Sequence, residues 1–270
     1  MTGTERAPCV RVPAGGTPPT GRCCIAPRPR STAAVFLVLG LAVFSRAAPA
    51  VEGQVYLALD GGVQAGDFGT PVRSTLYSVT PTLGVVAKNY DLSVTVPYLS
   101  LTQSASGQSV AESGLGDDVA RAGYVLVAER EGGMSLNGAL AVKLPTADEA
   151  KGLGTGEADV GATLLLGQRL GRVRLSLLGG FIKVGDPAGQ DYNDVYLYGI
   201  GVSGTMGETG LYASLEGRRA LVAAADNPLE VRVGFFHLFG HRYAIRGTAF
   251  AGLNDGGPAY GASLGFVQWI

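Results

Sequence analysis

The side chains that could do chemistry in this sequence are charged groups set singly into apolar, alternating stretches. They are Asp117, Arg121, Lys143, Glu157, Asp159, Arg174, Glu216, Arg218, Glu230, Arg232 and Arg246. An ion-selective pore carries an excess of one sign. Here acids and bases nearly balance, which suggests ion pairs across an enclosed lumen, because a charge withdrawn from water needs a partner. Two roles stay open for them: bracing a closed interior, or lining a passage. Asp117, Lys143, Glu157 and Asp159 fall beside two long connections, 102–115 and 146–156. That placement suits an ion-pair gate, or a plain structural latch, at one mouth of the lumen.

Other chemistry is poorly served. The only histidines are His237 and His241, without an evident serine in register, so the expectation is no catalysis. Gly152-Leu153-Gly154-Thr155-Gly156 lacks the Lys-Ser/Thr and the following helix of a phosphate loop. Asp186, Asp191 and Asp194 read as a solvated loop rather than a calcium site. Cys9, Cys23 and Cys24 all lie near the N-terminus, so the expectation is no metal, no cofactor and no disulfide in the working chain.

Composition narrows the scaffold that must hold these charges. The chain has 270 residues, 42 of them glycine, 16% charged, with a net charge of −1. Its pI is about 6.1 and its mean hydropathy +0.23. Disorder needs low hydrophobicity and high net charge. Nucleic-acid binding needs a basic footprint. Neither fits. Scattered glycines disfavour long helices, at about 1 kcal/mol each against alanine, and their irregular spacing excludes collagen.

Residues 1–50 read as a signal peptide. A long basic n-region carries Arg6, Arg11, Arg22, Arg28 and Arg30. An apolar run from Ala33 to Phe44 follows, then Ala48-Pro49-Ala50 as the cleavage site. The run is shorter than the roughly 20 residues a spanning helix needs. The mature chain is expected to start near Val51.

From 51 to 270 the hydrophobic period is two. Leu92, Val94, Val96 and Tyr98 oppose Ser93, Thr95 and Pro97; Tyr260, Ala262, Leu264 and Phe266 oppose Gly261, Ser263 and Gly265. About twelve such segments follow one another, many of them near the 9–11 residues of a tilted membrane strand. Short connections (88–89, 130–133, 170–172, 207–209, 240–241) alternate with long ones (62–70, 102–115, 146–156, 185–192, 220–228, 254–258). A water-soluble sandwich has no reason to segregate loop lengths. An outer-membrane barrel has periplasmic turns and external loops that differ in this way. The fold class is therefore all-β: a transmembrane antiparallel up-and-down β-barrel of about twelve strands. Its aromatic girdles would draw on Tyr77, Tyr98, Tyr124, Phe181, Tyr196, Phe235, Tyr243, Tyr260 and Phe266. Inward glycines such as Gly161, Gly180, Gly234, Gly252, Gly261 and Gly265 would leave room inside, and Gly179-Gly180 marks a possible weak point in the wall.

Three stretches carry a family resemblance. One is Gly114-Leu115-Gly116-Asp117-Asp118 with Arg121, Tyr124 and Leu126. The next is Lys143-Leu144-Pro145-Thr146, then Gly152 to Gly156 and Asp159. The third runs from Tyr243 to Gly247, then Ala251-Gly252-Leu253-Asn254-Asp255-Gly256 and Pro258. Together they resemble the outer-membrane family named for the MetA pathway of phenol degradation. The resemblance implies a monomeric barrel of the bacterial outer membrane. It implies a transporter whose substrates are poorly defined; the expected role is passive passage of small, hydrophobic or aromatic solutes, through the lumen or a lateral gap, with a non-conducting structural or surface-interaction barrel as the alternative. The expected partners are outer-membrane lipid, the barrel-assembly machinery during biogenesis, and a small-molecule solute, with no nucleic acid. The final Trp269-Ile270 departs from the terminal aromatic common in such barrels.

Overall fold

An extended chain turns successive side chains to opposite faces, and here that alternation runs around a wall that closes on itself. The computed structural model describes residues 53–68, 72–129, 133–223 and 225–270. The leader expected over 1–50 lies outside them. The strands are β1 (Gln54–Gly66), β2 (Arg73–Val86), β3 (Tyr90–Thr95), β4 (Tyr98–Ala105), β5 (Gln108–Leu115), β6 (Asp118–Val127) and β7 (Met134–Leu144). They continue with β8 (Asp159–Leu170), β9 (Val173–Lys183), β10 (Val195–Met206), β11 (Thr209–Arg218), β12 (Leu229–Phe239), β13 (Tyr243–Gly252) and β14 (Tyr260–Trp269). Neighbours pair antiparallel, and β1 pairs with both β14 and β2, which closes the sheet.

Two of the wall's strands are broken. Val96-Pro97 separates β3 from β4, which share β2 as partner, and Gly116-Asp117 separates β5 from β6. Proline cannot donate to a ladder, and Pro81 of β2 stands opposite this break, across from Val96. Few hydrogen bonds bridge the gap; they include Val96 N–H to Pro81 O (3.1 Å) and Gly116 N–H to Pro97 O (2.8 Å). With each broken pair taken as one strand, the barrel has twelve.

Lipid explains the faces. Leu57, Leu59, Leu92, Val94, Leu164, Ile200, Val233 and Leu264 are exposed, while their strand neighbours turn inward. An apolar belt of this extent would aggregate in water. In a bilayer it is the surface that lipid covers, and closure pairs the backbone groups that lipid cannot satisfy. Tyr77, Tyr98, Tyr124, Tyr196, Tyr243, Tyr260, Phe181 and Phe266 stand exposed on that belt. Phe235 is only half-exposed, because its ring lies over Gly247 of β13. Among the described residues no helix is long and apolar enough to cross a membrane.

Two expected loops are strand instead. Residues 102–115 form most of the β4–β5 hairpin, which turns at Ser106-Gly107, with Ser104 and Ser109 hydroxyls 3.1 Å apart across it. Most of β5 is exposed on both faces. Its polar alternation therefore has no apolar side, and it reads as loop for that reason. Likewise β1 runs on to Gly66, into the expected connection 62–70. Gly179-Gly180 is not a weak point: both glycines are in register with β8 and with β10. The discontinuity lies at Pro81 and Pro97.

Candidate functional site

The barrel turns the alternate residue of every strand into the lumen, and most of the flagged charges occupy such positions. They pair along the wall rather than across the lumen as the sequence suggested. Arg121 of β6 bonds Asp91 of the adjoining β3. Arg218 Nη1 of β11 lies 2.8 Å from Glu230 Oε1 of β12. Arg232 joins Glu230 on its own strand and Glu216 of β11, the latter at 3.2 Å. Arg246 of β13 reaches Asp60 of β1 through two contacts, at 2.8 and 2.5 Å. Arg174 of β9 holds Glu129 at 2.6 Å and the Ser135 hydroxyl at 2.5 Å.

Glycine makes this geometry possible. Arg246 and Asp60 meet over Gly265 of β14, where a Cβ would stand on the Asp60 carboxylate. Arg174 lies across Gly167, and Asp91 across Gly123. Aromatic rings do the same: Tyr56 covers Gly84, Tyr212 covers Gly234, and Phe250 covers Gly261. A large side chain laid flat over the glycine opposite it covers the exposed backbone and keeps its own bulk against the wall. Phe250 also receives the Arg232 guanidinium, 4.5 Å from the ring centre, a contact worth about 0.5–2 kcal/mol.

The mouth beside segments 145–158 and 184–194 is built differently. Lys143 Nζ lies 3.0 Å from Asp159 Oδ2, 3.2 Å from Asp117 Oδ2 and 2.7 Å from the Thr155 hydroxyl. All three charged groups are buried. Asp117 Oδ1 accepts the Ala147 N–H, and Asp159 Oδ1 accepts the Gly185 N–H, each at 3.0 Å. The cluster thus ties two connecting segments, 145–158 and 184–194, to the rim. Glu157 does not join it: the residue is exposed, and no ion pair holds it among the described residues. The reason is local, since Gly156 adopts a positive φ of 75° and turns the chain just before β8 begins at Asp159.

Segment 145–158 also folds inward. A single 3-10 turn, Glu149–Lys151, is capped by Asp148 and ends at Gly152 with φ 71°. Leu153, 1% exposed, then packs on the inward faces of β2 and β4, against Leu76, Leu99 and Leu101. At the rim of β9 and β10, Leu221 packs with Val184 and with Val195 and Leu197 of β10. The opposite end of the lumen carries an apolar cluster of Ala58, Ala244 and Val267, with Tyr56, Leu238 and Trp269 packed on it.

Sequence reasoning missed three acids that complete the pairs: Asp60, Asp91 and Glu129. The signal for Asp60 was available, because it alternates with Leu57 and Leu59 on the inward side of β1. Asp91 and Glu129 sit at strand ends, where alternation is too short to show a face. In segment 184–194, burial works against the Asp194 charge. Hydrogen bonds from Lys183 and the Val184 N–H, with the charges of Lys183 and Arg219, nonetheless hold its carboxyl below the usual range. Asp186 accepts the Tyr192 N–H at 2.9 Å, so this loop uses its acids to fix its own backbone. His237 bonds the Thr209 hydroxyl at 2.8 Å and packs edge-on against Phe239. Among the described residues no group of three or more His, Cys, Asp or Glu is placed to hold a metal ion.

No family model and no curated protein matches the chain. Solved structures do. An outer membrane channel from Pseudomonas putida F1 is similar with a TM-score of 0.67 and 15% identity, over 82% of this chain and 96% of that one. The transport unit of the autotransporter AIDA-I from Escherichia coli is similar with a TM-score of 0.52 and 10% identity, over 88% and 95%. The beta domain of the Bordetella autotransporter Brka gives 0.51 and 15%, over 82% and 100%. At these identities the likeness is one of fold: a closed antiparallel barrel of the outer-membrane kind.

Proposed function

We propose that this chain is a channel of the bacterial outer membrane for passive passage of small, hydrophobic or aromatic solutes. One observation carries the reading. The long inward side chains lie along the wall, paired with neighbouring strands or laid over glycines, and the ion pairs do not brace the lumen from side to side. A barrel whose interior served only stability would gain most from filling its centre. The fold shared with an outer membrane channel and the sequence resemblance to the MetA-pathway family point the same way. No catalytic step belongs to this reading.

Lys143, Asp117 and Asp159 are the gate in this account, and segment 145–158 is the part they hold at the mouth. The wall break is a second place where a solute path would be sought. On the lipid face, a groove of about 450 Å³ lies beside Pro81, lined by Leu57, Leu59, Leu83, Val94, Val96 and Phe266. An apolar solute would rest there against the outside of the wall, and the strands behind it are paired. The alternative, a non-conducting barrel, draws support from Leu153 seated over the inner wall. The chain works as a monomer, inserted by the barrel-assembly machinery after removal of residues 1–50.

Uptake of small uncharged solutes into liposomes carrying the folded barrel tests the function. Faster uptake than in protein-free liposomes supports a channel, and equal rates leave the non-conducting barrel. N-terminal sequencing of the membrane form tests the leader, with Val51 expected as the first residue. A protease site placed at Ser106-Gly107 should be cut on intact cells. One placed at Gly207-Glu208 should not; cutting there from outside refutes the topology.

A further inference from the structure

Charge is unevenly spread around the lumen. At its external end the uncharged arc begins below Lys143 and Asp159, and at the other end it stops at Arg174. Between these limits β7 to β10 turn no charged side chain inward. Their inward residues are small or uncharged, among them Asn137, Ala141, Thr163, Leu165, Leu178 and Gly201. The paired charges of the other strands belong to β1, β3, β6 and β11 to β13: Asp60, Arg121, Arg232 and Arg246 lie within their strands, and Asp91, Arg218 and Glu230 at strand ends. In the closed strand order, β8 and β9 stand half-way round from β14 and β1. The middle of the uncharged arc therefore faces the Asp60–Arg246 pair bridged over Gly265.

The charged arc is balanced. Asp60, Asp91, Glu216 and Glu230 are matched by Arg121, Arg218, Arg232 and Arg246, and each is engaged in an ion pair. An ion entering this lumen meets like and unlike charge together and must displace a pair to gain a partner. A neutral polar group meets no such barrier. A carboxylate or guanidinium in a pair keeps lone pairs or N–H groups that can take a further hydrogen bond. Neutral hydroxyls stand on the same side, as in Tyr212 with Thr248 (2.7 Å) and Thr82 with Thr95 (2.9 Å).

We propose that the lumen selects uncharged amphiphiles. The hydrocarbon body runs along β7 to β10, and a hydroxyl or carbonyl edge turns to Asp60–Arg246 and Tyr212–Thr248. This rests on the channel reading and sharpens its solute class.

Three matched probes test it: cyclohexylmethanol, cyclohexanecarboxylate and cyclohexylmethylammonium. They differ mainly in charge, and none absorbs where tryptophan does. Trp269 is the chain's single tryptophan and packs in the lumen-end cluster, so its emission reports occupancy. Titration of the folded barrel in detergent should show the alcohol binding at least tenfold more tightly than either ion. Asn137→Asp adds a charge to the uncharged arc with almost no change of shape. It should weaken the alcohol and favour the ammonium probe. Asp60→Asn with Arg246→Met removes the facing pair as a pair and should weaken the alcohol at least fivefold. Heat-dependent gel mobility confirms that each variant is folded. Equal binding of the three probes, preference for an ion, or an alcohol affinity untouched by both variants overturns the proposal. Binding is read separately from flux. Selective binding without uptake would refute the channel and leave this inference standing; uptake without selectivity would do the reverse.

Discussion

Replacing Lys143 with methionine probes the mouth most sharply, because it removes a charge and leaves the shape. At an effective dielectric near 20, contacts of 3.0 and 3.2 Å are each worth about 5 kcal/mol of attraction. Much of that offsets the cost of taking three charges out of water. The loss is larger than the net worth of the cluster, since Asp117 and Asp159 are left buried and facing one another. Of the contacts described at the mouth, they would keep the Ala147 and Gly185 N–H groups. Breaking one partner from a buried pair costs about 3–5 kcal/mol. Urea unfolding in phospholipid vesicles, followed by Trp269 emission, measures the difference directly. The triple variant Asp117→Asn, Lys143→Met, Asp159→Asn removes every charge and should recover more than half of the loss. A Lys143→Met barrel within about 0.5 kcal/mol of wild type, the range of an ordinary surface change, would refute the reasoning. So would a triple variant no more stable than the single one.

Other consequences follow from the same geometry. Gly265→Val places a side chain on the Asp60 carboxylate and should destabilise the barrel by about 1–3 kcal/mol. Gly179→Ala meets open space and should change urea stability by less than about 0.5 kcal/mol. Leu153→Ala removes the anchor of segment 145–158, so trypsin should cut after the exposed Lys151 several-fold faster in the variant. Asp194 has a folded value held below its ordinary 3.8. Its contribution is therefore complete above that value and is lost as pH falls through the lower folded one. Protection of the Val184 amide against hydrogen exchange, with the intrinsic pH dependence of the exchange rate divided out, should fall in that acid range and stay flat from pH 5 to 8.

Much of the barrel is legible in the sequence because lipid imposes a strict rule. Each strand needs an apolar face, and Leu92-Ser93-Val94-Thr95 or Tyr260-Gly261-Ala262-Ser263 can alternate in only one register. The rule stops where lipid stops. Most of β5 is exposed on both faces, so its Ser, Gln and Glu residues carry no sidedness. The site was legible to a similar depth. Alternation assigns Arg121, Arg218, Arg232 and Arg246 to one face, but pairing depends on reach between strands. That reach is set by what stands opposite: Gly265 lets Arg246 cross β14 to Asp60, and Gly167 lets Arg174 cross β8. Glu157 shares the parity of Asp159 yet stays outside, because the turn at Gly156 comes before the ladder begins. Parity has meaning only within a paired strand.

Single-channel recording in planar bilayers, on wild type and on Lys143→Ala, tests the central claim most directly. A lumen latched at its external mouth should give discrete current steps that become larger or longer-lived when the latch is cut. Both barrels indistinguishable from bare lipid in current, and in uptake of uncharged solutes as well, would contradict the account. So would an unchanged current from a Lys143→Ala barrel whose melting temperature has fallen, which would leave the cluster as a structural latch alone.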